Sequence, residues 1–275
     1  MNKKIKIFLI IFVLITLGFI FYSNRIKIKE LFFENKVELP NEISRNEINS
    51  SGADLEEDNS NENVEVILES PKQDDKNEIV PNPPSQTKTE INLKVPFIIQ
   101  SPDQKWEGIY KEACEEASLL MVYGFLENKD ITVDFAMTQI AEMINWGNEN
   151  ITESEDLTAD QTLELARGFY KLSGEVVKLN SIDDIKKIVS GGSPVILPAL
   201  GRELKNPNFK VPGPIYHMLV VKGFTKDGLI ITNDPGTRKG KDYLYNPEIL
   251  FNAIADWDID MQSPNANKKV GIVLR

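Results

Sequence analysis

Apolar and polar positions divide the chain into three textures. The first is an unbroken apolar run from Ile7 to Tyr22, preceded by Lys3, Lys4 and Lys6 and followed by Arg25, Lys27 and Lys29. It has no polar face, so it does not read as a core helix. Its sixteen residues lie between a long signal-peptide core and a short membrane span. The run ends Gly18-Phe19-Ile20-Phe21-Tyr22, and such bulky residues oppose signal-peptidase cleavage. An uncleaved anchor over residues 1–24 is therefore expected. The basic residues on its two sides nearly balance, and the short N-terminal tail favours an extracytoplasmic location for the rest.

The second texture runs from residue 25 to residue 91. Stretches such as Asp54-Leu55-Glu56-Glu57-Asp58 and Pro81-Asn82-Pro83-Pro84-Ser85 are polar, acidic and almost free of aromatic residues. Such a segment cannot bury enough apolar surface to offset the entropy of ordering, which predicts a disordered linker.

From residue 92 to residue 275 the pattern becomes that of a globular domain. Lys94–Gln100 reads as a short strand. Ala117, Leu120, Met121, Gly124 and Phe125 fall on one stripe of a helix over 113–126. Further helices are predicted over 133–145 and 159–173, and another begins at Ile182 behind Ser181 as N-cap. Then come short runs of branched residues at 194–198, 218–223 and 229–232, which read as strands. Helices first and strands later indicate an α+β domain.

Composition narrows the chemistry. The formal net charge is −11, which opposes nucleic-acid binding, because phosphates need clustered Lys and Arg. Much of that charge lies in the linker and describes a solvated stalk. One cysteine and one histidine exclude a disulfide framework, a Cys/His zinc site and a CxxC redox pair. No metal or cofactor is expected. Asp256-Trp257-Asp258-Ile259-Asp260 imitates the start of a calcium loop, but Met261 stands where the turn needs glycine and Asn267 where the bidentate Glu belongs.

The remaining candidates are Cys114 and His217. Cys114 falls at the predicted first turn of a helix, where free N–H groups and the helix dipole favour a thiolate. Glu115 and Glu116 oppose that ionisation wherever they face the thiol. A lone cysteine is more often inert core filler. His217 follows Pro212-Gly213-Pro214 and opens the strand over 218–223. The turn Lys226-Asp227-Gly228 sends the next strand back antiparallel. If Thr225 pairs with Gly228, Asp234 lies opposite Leu219, a diagonal neighbour of His217. A slip of one residue substitutes Asn233, which also orients an imidazole.

Val95-Pro96-Phe97-Ile98-Ile99-Gln100, then Trp106, then Glu112-Ala113-Cys114-Glu115-Glu116-Ala117-Ser118 resemble the nucleophile region of the C39-like cysteine peptidases of the papain-like superfamily. Tyr216–Phe224 resembles that family's histidine strand and Ile230–Gly236 its acid-bearing strand. The resemblance implies a papain-like fold, with a helical part carrying the cysteine and an antiparallel sheet carrying histidine and acid. It implies Cys114 as nucleophile, His217 as general base and then acid, Asp234 as orienter, and Gln100 as side-chain oxyanion donor. Gln104 lies nearer the cysteine in sequence. Trp106 and Tyr216 are candidate substrate contacts, and the implied partner is a peptide or protein. Many relatives follow the cysteine with glycine, where this chain has Glu115. An amidase or acyltransferase with the same triad fits the same residues, as does an inactive, membrane-tethered peptide-binding module.

Overall fold

The strand that carries the histidine, β5 (Tyr216–Phe224), is buried along its whole length and organises the sheet around it. The computed structural model describes residues 37–53 and 89–275. The apolar run at 7–22 lies outside the described residues, so the expected anchor does too. Among the described residues, no helix is long and apolar enough to cross a membrane.

On one edge β5 pairs antiparallel with β4 (Val195–Leu200), followed by β10 (Val270–Leu274) and β3 (Gly174–Lys178). On the other edge it pairs with β6 (Ile230–Asn233), which pairs in turn with β7 (Tyr243–Tyr245). The far end of β5 also holds β2 (Ile91–Leu93), matching Ile91 to Phe224 and Asn92 to Gly223. A separate ribbon joins β8 (Asp256–Asp258) to β9 (Ser263–Asn265). The mixed composition is α+β, as the order of patterns predicts.

One strand and one helix sit where the sequence pattern places neither. β1 (Glu42–Ile43) adds to β2 in parallel, and α1 (Arg45–Ala53) follows it. Both lie inside the stretch read as a disordered linker over 25–91, so that reading is corrected for residues 42–53. The linker's overall composition conceals the reason, because a few residues hold the segment: Ile43 and Ile48 pack against the core, and backbone-directed hydrogen bonds join them. Lys94 donates its backbone N–H to Ile43 O at 2.8 Å, and Asn92 Nδ2 reaches Pro40 O at 3.0 Å. The strand expected over 94–100 is instead β2 at 91–93. Val95 turns its N–H back to Leu93 O, and Pro96 has no N–H for a ladder.

The helix predicted over 113–126 forms as α2 (Cys114–Leu126) and is buried nearly all round rather than along one stripe. It packs on β5, with α3 (Val133–Asn150), α4 (Ala159–Phe169) and the N-terminal residues of the domain around it. Glu115 and Glu116 are buried with it. Thr158 caps α4 through a reciprocal capping box with Gln161, worth about 1 kcal/mol. α5 (Ile182–Ser190) starts at the expected Ser181, and α6 (Pro247–Ala253) follows β7. The Asp256–Asp260 stretch is strand β8 running into a turn, and its carboxylates bind the protein itself: Asp256 Oδ1 accepts Ala159 N–H at 2.8 Å, at the first residue of α4, and Asp258 accepts Asn265 Nδ2 at 3.1 Å.

The β5–β6 hairpin closes one residue later than expected, since Thr225 N–H donates to Leu229 O. A bulge between Val221 and Gly223 then absorbs one residue, and the ladder resumes with Val221 opposite Thr232 and Val220 opposite Asn233. One further step brings Asp234 beside Leu219. The bulged residue is Lys222, whose buried Nζ lies 2.8 Å from Glu42 Oε1 and 2.7 Å from Asp242 Oδ1. Next to it Gly223 permits β2 to approach, since a Cβ there would sit 2.1 Å from Ile91 O.

Candidate active site

A cleft of about 740 Å³ opens where the start of α2, the start of β5 and the loops around them meet. Cys114 is the first residue of α2, so its backbone N–H has no intrahelical partner. His217 is the second residue of β5 and is 1% exposed. Cys114, His217, Gln100, Trp106 and Tyr216 all line the cleft.

His217 Nε2 lies 2.8 Å from Asp234 Oδ1, on a carboxylate that is fully buried. That carboxylate takes three further donors. Gly236 N–H reaches Oδ1 at 3.0 Å, while Tyr245 Oη–H and Asn206 Nδ2 reach Oδ2 at 2.7 and 3.1 Å. Burial opposes its charge, but the imidazole and these donors outweigh burial and hold the Asp234 carboxyl below its usual range. Asn233 points to the other face of β6, where its Nδ2 donates to Val95 O and Pro96 O. The alternative orienter is thereby removed.

The imidazole is fixed by packing as well. Phe209 meets it edge-on with centroids 5.3 Å apart. Gly236 lies against its face, where a Cβ would fall 2.8 Å from Cε1 and 3.0 Å from Nε2. With Nε2 turned to Asp234, Nδ1 is the nitrogen left for proton transfer.

The thiol is less open. Its Sγ–H donates to Glu115 Oε2 at 3.0 Å, and Met218 N–H donates to Sγ at 3.3 Å. Among the described residues no hydrogen bond joins Cys114 to His217. Burial pushes the Cys114 thiol well up, and the charge of Glu115 adds to it. Burial also raises the Glu115 carboxyl well above its usual range, and neighbouring Glu116 is pushed up to about 7. Glu115 is held on its other side by Leu157 N–H at 3.4 Å.

The other expected residues divide. Gln100 is buried on the cleft wall, where its Nε2 donates to Lys111 O at 2.5 Å. A primary amide has two N–H donors, so one remains for a ligand. Gln104 is exposed on the turn outside, at φ 65°. Trp106 is half-buried at φ 55°, a left-handed conformation rare for a bulky residue, and Ser101 Oγ holds its N–H at 2.8 Å. Tyr216 borders the cleft, but its hydroxyl donates to Leu157 O at 2.9 Å and its ring tilts on Trp257. It therefore offers a ligand no free hydroxyl.

Asn206, Tyr245, Phe209 and Gly236 escape the sequence reading. Gly236 carries a signal, in Asp234-Pro235-Gly236, but Asn206 and Phe209 come from a loop and Tyr245 from the short strand β7, with no motif of their own. Among the described residues no group of His, Cys, Asp and Glu side chains is arranged to hold a metal ion.

Comparison with known proteins gives a family match. The profile of the Peptidase_C39 like family matches residues 92–260. A solved structure of a C39-like peptidase candidate from Bacillus anthracis is 19% identical, with 68% of this chain and 97% of that chain covered and a TM-score of 0.43. A fragment of prointerpain A from Prevotella intermedia is 15% identical, with 52% of this chain and 41% of that chain covered and a TM-score of 0.32. No curated protein matches significantly.

Proposed function

The chain belongs to the Peptidase C39-like family, and from that membership we propose that it hydrolyses a peptide or amide bond with Cys114 as nucleophile. The observation that supports this reading is the His217–Asp234 pair at 2.8 Å, whose imidazole lines one cleft with the Cys114 thiol.

In this mechanism the thiol proton leaves its hydrogen bond to Glu115 and passes to His217 Nδ1. The thiolate attacks the acyl carbon. The oxyanion is met by the Cys114 backbone N–H and the second N–H of Gln100 Nε2. His217, now an imidazolium stabilised by Asp234, protonates the leaving amine through Nδ1. Water then attacks the acyl-cysteine with His217 as base, and the thiol is regenerated.

Cys114→Ser is the sharpest test. A serine hydroxyl keeps an acceptor for Met218 N–H and a donor for Glu115, so melting is expected to change little. Hydrolysis of a quenched fluorescent peptide library is expected to fall by about a thousandfold or more, since a triad nucleophile is rarely replaceable. Turnover persisting in the purified variant would overturn the assignment of Cys114.

A further inference from the structure

The cleft is basic in a chain that is acidic. The chain carries −11 overall, and from residue 92 onward acidic side chains still outnumber basic ones. Around the cleft the sign reverses. Lys111, Lys210, Arg238 and Lys239 line it against a single exposed-edge carboxylate, Glu112. Glu112 is already matched by Lys111 at 2.7 Å, and Asp103 on the adjoining turn by Lys105 at 2.9 Å. Among the described residues no carboxylate lies within ion-pair distance of Lys210, Arg238 or Lys239. The carboxylates beneath the cleft floor do not offset them: Asp234 is matched by His217, and Glu115 is fully buried behind the thiol.

These cations also come from different walls. Lys111 precedes the nucleophile, Lys210 lies on the loop between β4 and β5 beside Phe209, and Arg238 and Lys239 lie on the loop after Asp234. One terminal nitrogen of Arg238 donates to Gln104 O at 3.1 Å, which fixes its direction across the turn. A guanidinium has five N–H donors, so the rest remain for a planar acceptor.

Resting on the proposed peptidase reading, we infer that the cleft selects acidic peptide segments, with Lys210, Arg238 and Lys239 receiving Asp or Glu side chains on both flanks of the scissile bond. One exposed pair contributes little. Cations converging on a concave wall act together, and they raise local anion concentration and association rate. The preference is therefore expected to weaken steeply with salt, whose screening length is about 8 Å at physiological strength.

The test uses the full chain carrying Cys114→Ser in a non-ionic detergent, so that binding is read without turnover. Its probes are peptides of one Gly-Ser scaffold carrying aspartates, asparagines or lysines and labelled with a neutral fluorophore. Fluorescence anisotropy is expected to give the aspartate peptide an affinity about tenfold above the asparagine peptide, with the lysine peptide weakest. Lys210→Glu with Arg238→Glu and Lys239→Glu is expected to abolish that order, whereas Lys226→Glu on the distant β5–β6 turn is not. Should the triple variant misfold, raising salt must still collapse the aspartate advantage toward the asparagine value. Equal binding of all three peptides, or a preference indifferent to salt, overturns the inference. Hydrolysis by the unsubstituted chain separates the two readings. Acidic preference without turnover sinks the peptidase reading alone, and equal turnover of aspartate and asparagine peptides sinks the inference alone.

Discussion

Tyr245→Phe isolates what holds the acid of the pair. The tyrosine ring is 3% exposed, and its hydroxyl donates to Asp234 Oδ2 at 2.7 Å while receiving Asn206 Nδ2 at 3.0 Å. Burial and the nearby carboxylate push the phenol up, so it remains a donor throughout any practical pH range. Phenylalanine fills the same volume, so no cavity arises. The loss is one hydrogen bond to a buried charge, about 1.5–3 kcal/mol. Asn206 then serves Oδ2 alone, at 3.1 Å.

The pH dependence gives the sign. The folded carboxyl of Asp234 titrates below its usual range, so its contribution is present above the unfolded value, about 3.9. It is lost as pH falls through the folded value. Removing the phenol raises the folded value. The variant is therefore less stable at neutral pH, and the gap narrows in acid, where the carboxyl is protonated in both proteins. Urea unfolding at pH 7 and stepwise down to pH 3 checks this. A difference under about 0.5 kcal/mol at neutral pH, or one unchanged by acid, refutes the argument that the phenol supports a charged Asp234. Hydrolysis adds a second readout. A looser imidazole is expected to lower kcat roughly tenfold with KM little changed, far short of the loss of about 10⁴ when a triad carboxylate is neutralised.

Two further substitutions probe the neighbours of the pair. Gly236→Ala drives a Cβ into His217 and to 3.0 Å from Phe209 Cε1, an overpacking worth about 1–3 kcal/mol. It is expected to lower kcat/KM about tenfold or more; unchanged turnover and melting would show that the imidazole is not held by this contact. Glu115→Gln removes the charge that, after burial, most raises the Cys114 thiol. The pH midpoint for iodoacetamide alkylation of Cys114, followed by mass spectrometry, is expected to move to lower pH. A profile superimposable on that of the unsubstituted chain would show that Glu115 does not govern the thiol.

The parts of the site that the sequence made legible are those carried by scarcity and by local pattern. A lone Cys at a helix start and a lone His at a strand start needed no long-range information to single out. The supports of Asp234 were illegible because they are long-range. Asn206 lies 28 positions away, and Tyr245 shares only the uninformative pattern of a short strand. The direction of the thiol was equally hidden. Cys114 and Glu115 are neighbours in the chain, but successive helical residues do not face one another, and the Leu157 N–H that holds the other oxygen of Glu115 comes from 42 positions away.

The hairpin shows why a correct register can follow from an incorrect pairing. Closing the turn at Thr225 and Gly228 gives the right partner for Asp234, yet the ladder near the turn is shifted by one residue. The bulge at Lys222 cancels that shift. A lysine inside an apolar strand is costly unless its charge is matched. Here the matches are Asp242, from the loop that follows Asp234, and Glu42, from the strand hidden in the acidic linker. A residue far from the thiol, paired to a segment the composition reads as structureless, thus helps set which face of β6 meets His217. Composition counts Glu42 with the solvated stalk, and the fold uses it to neutralise the bulge that keeps acid and imidazole in register.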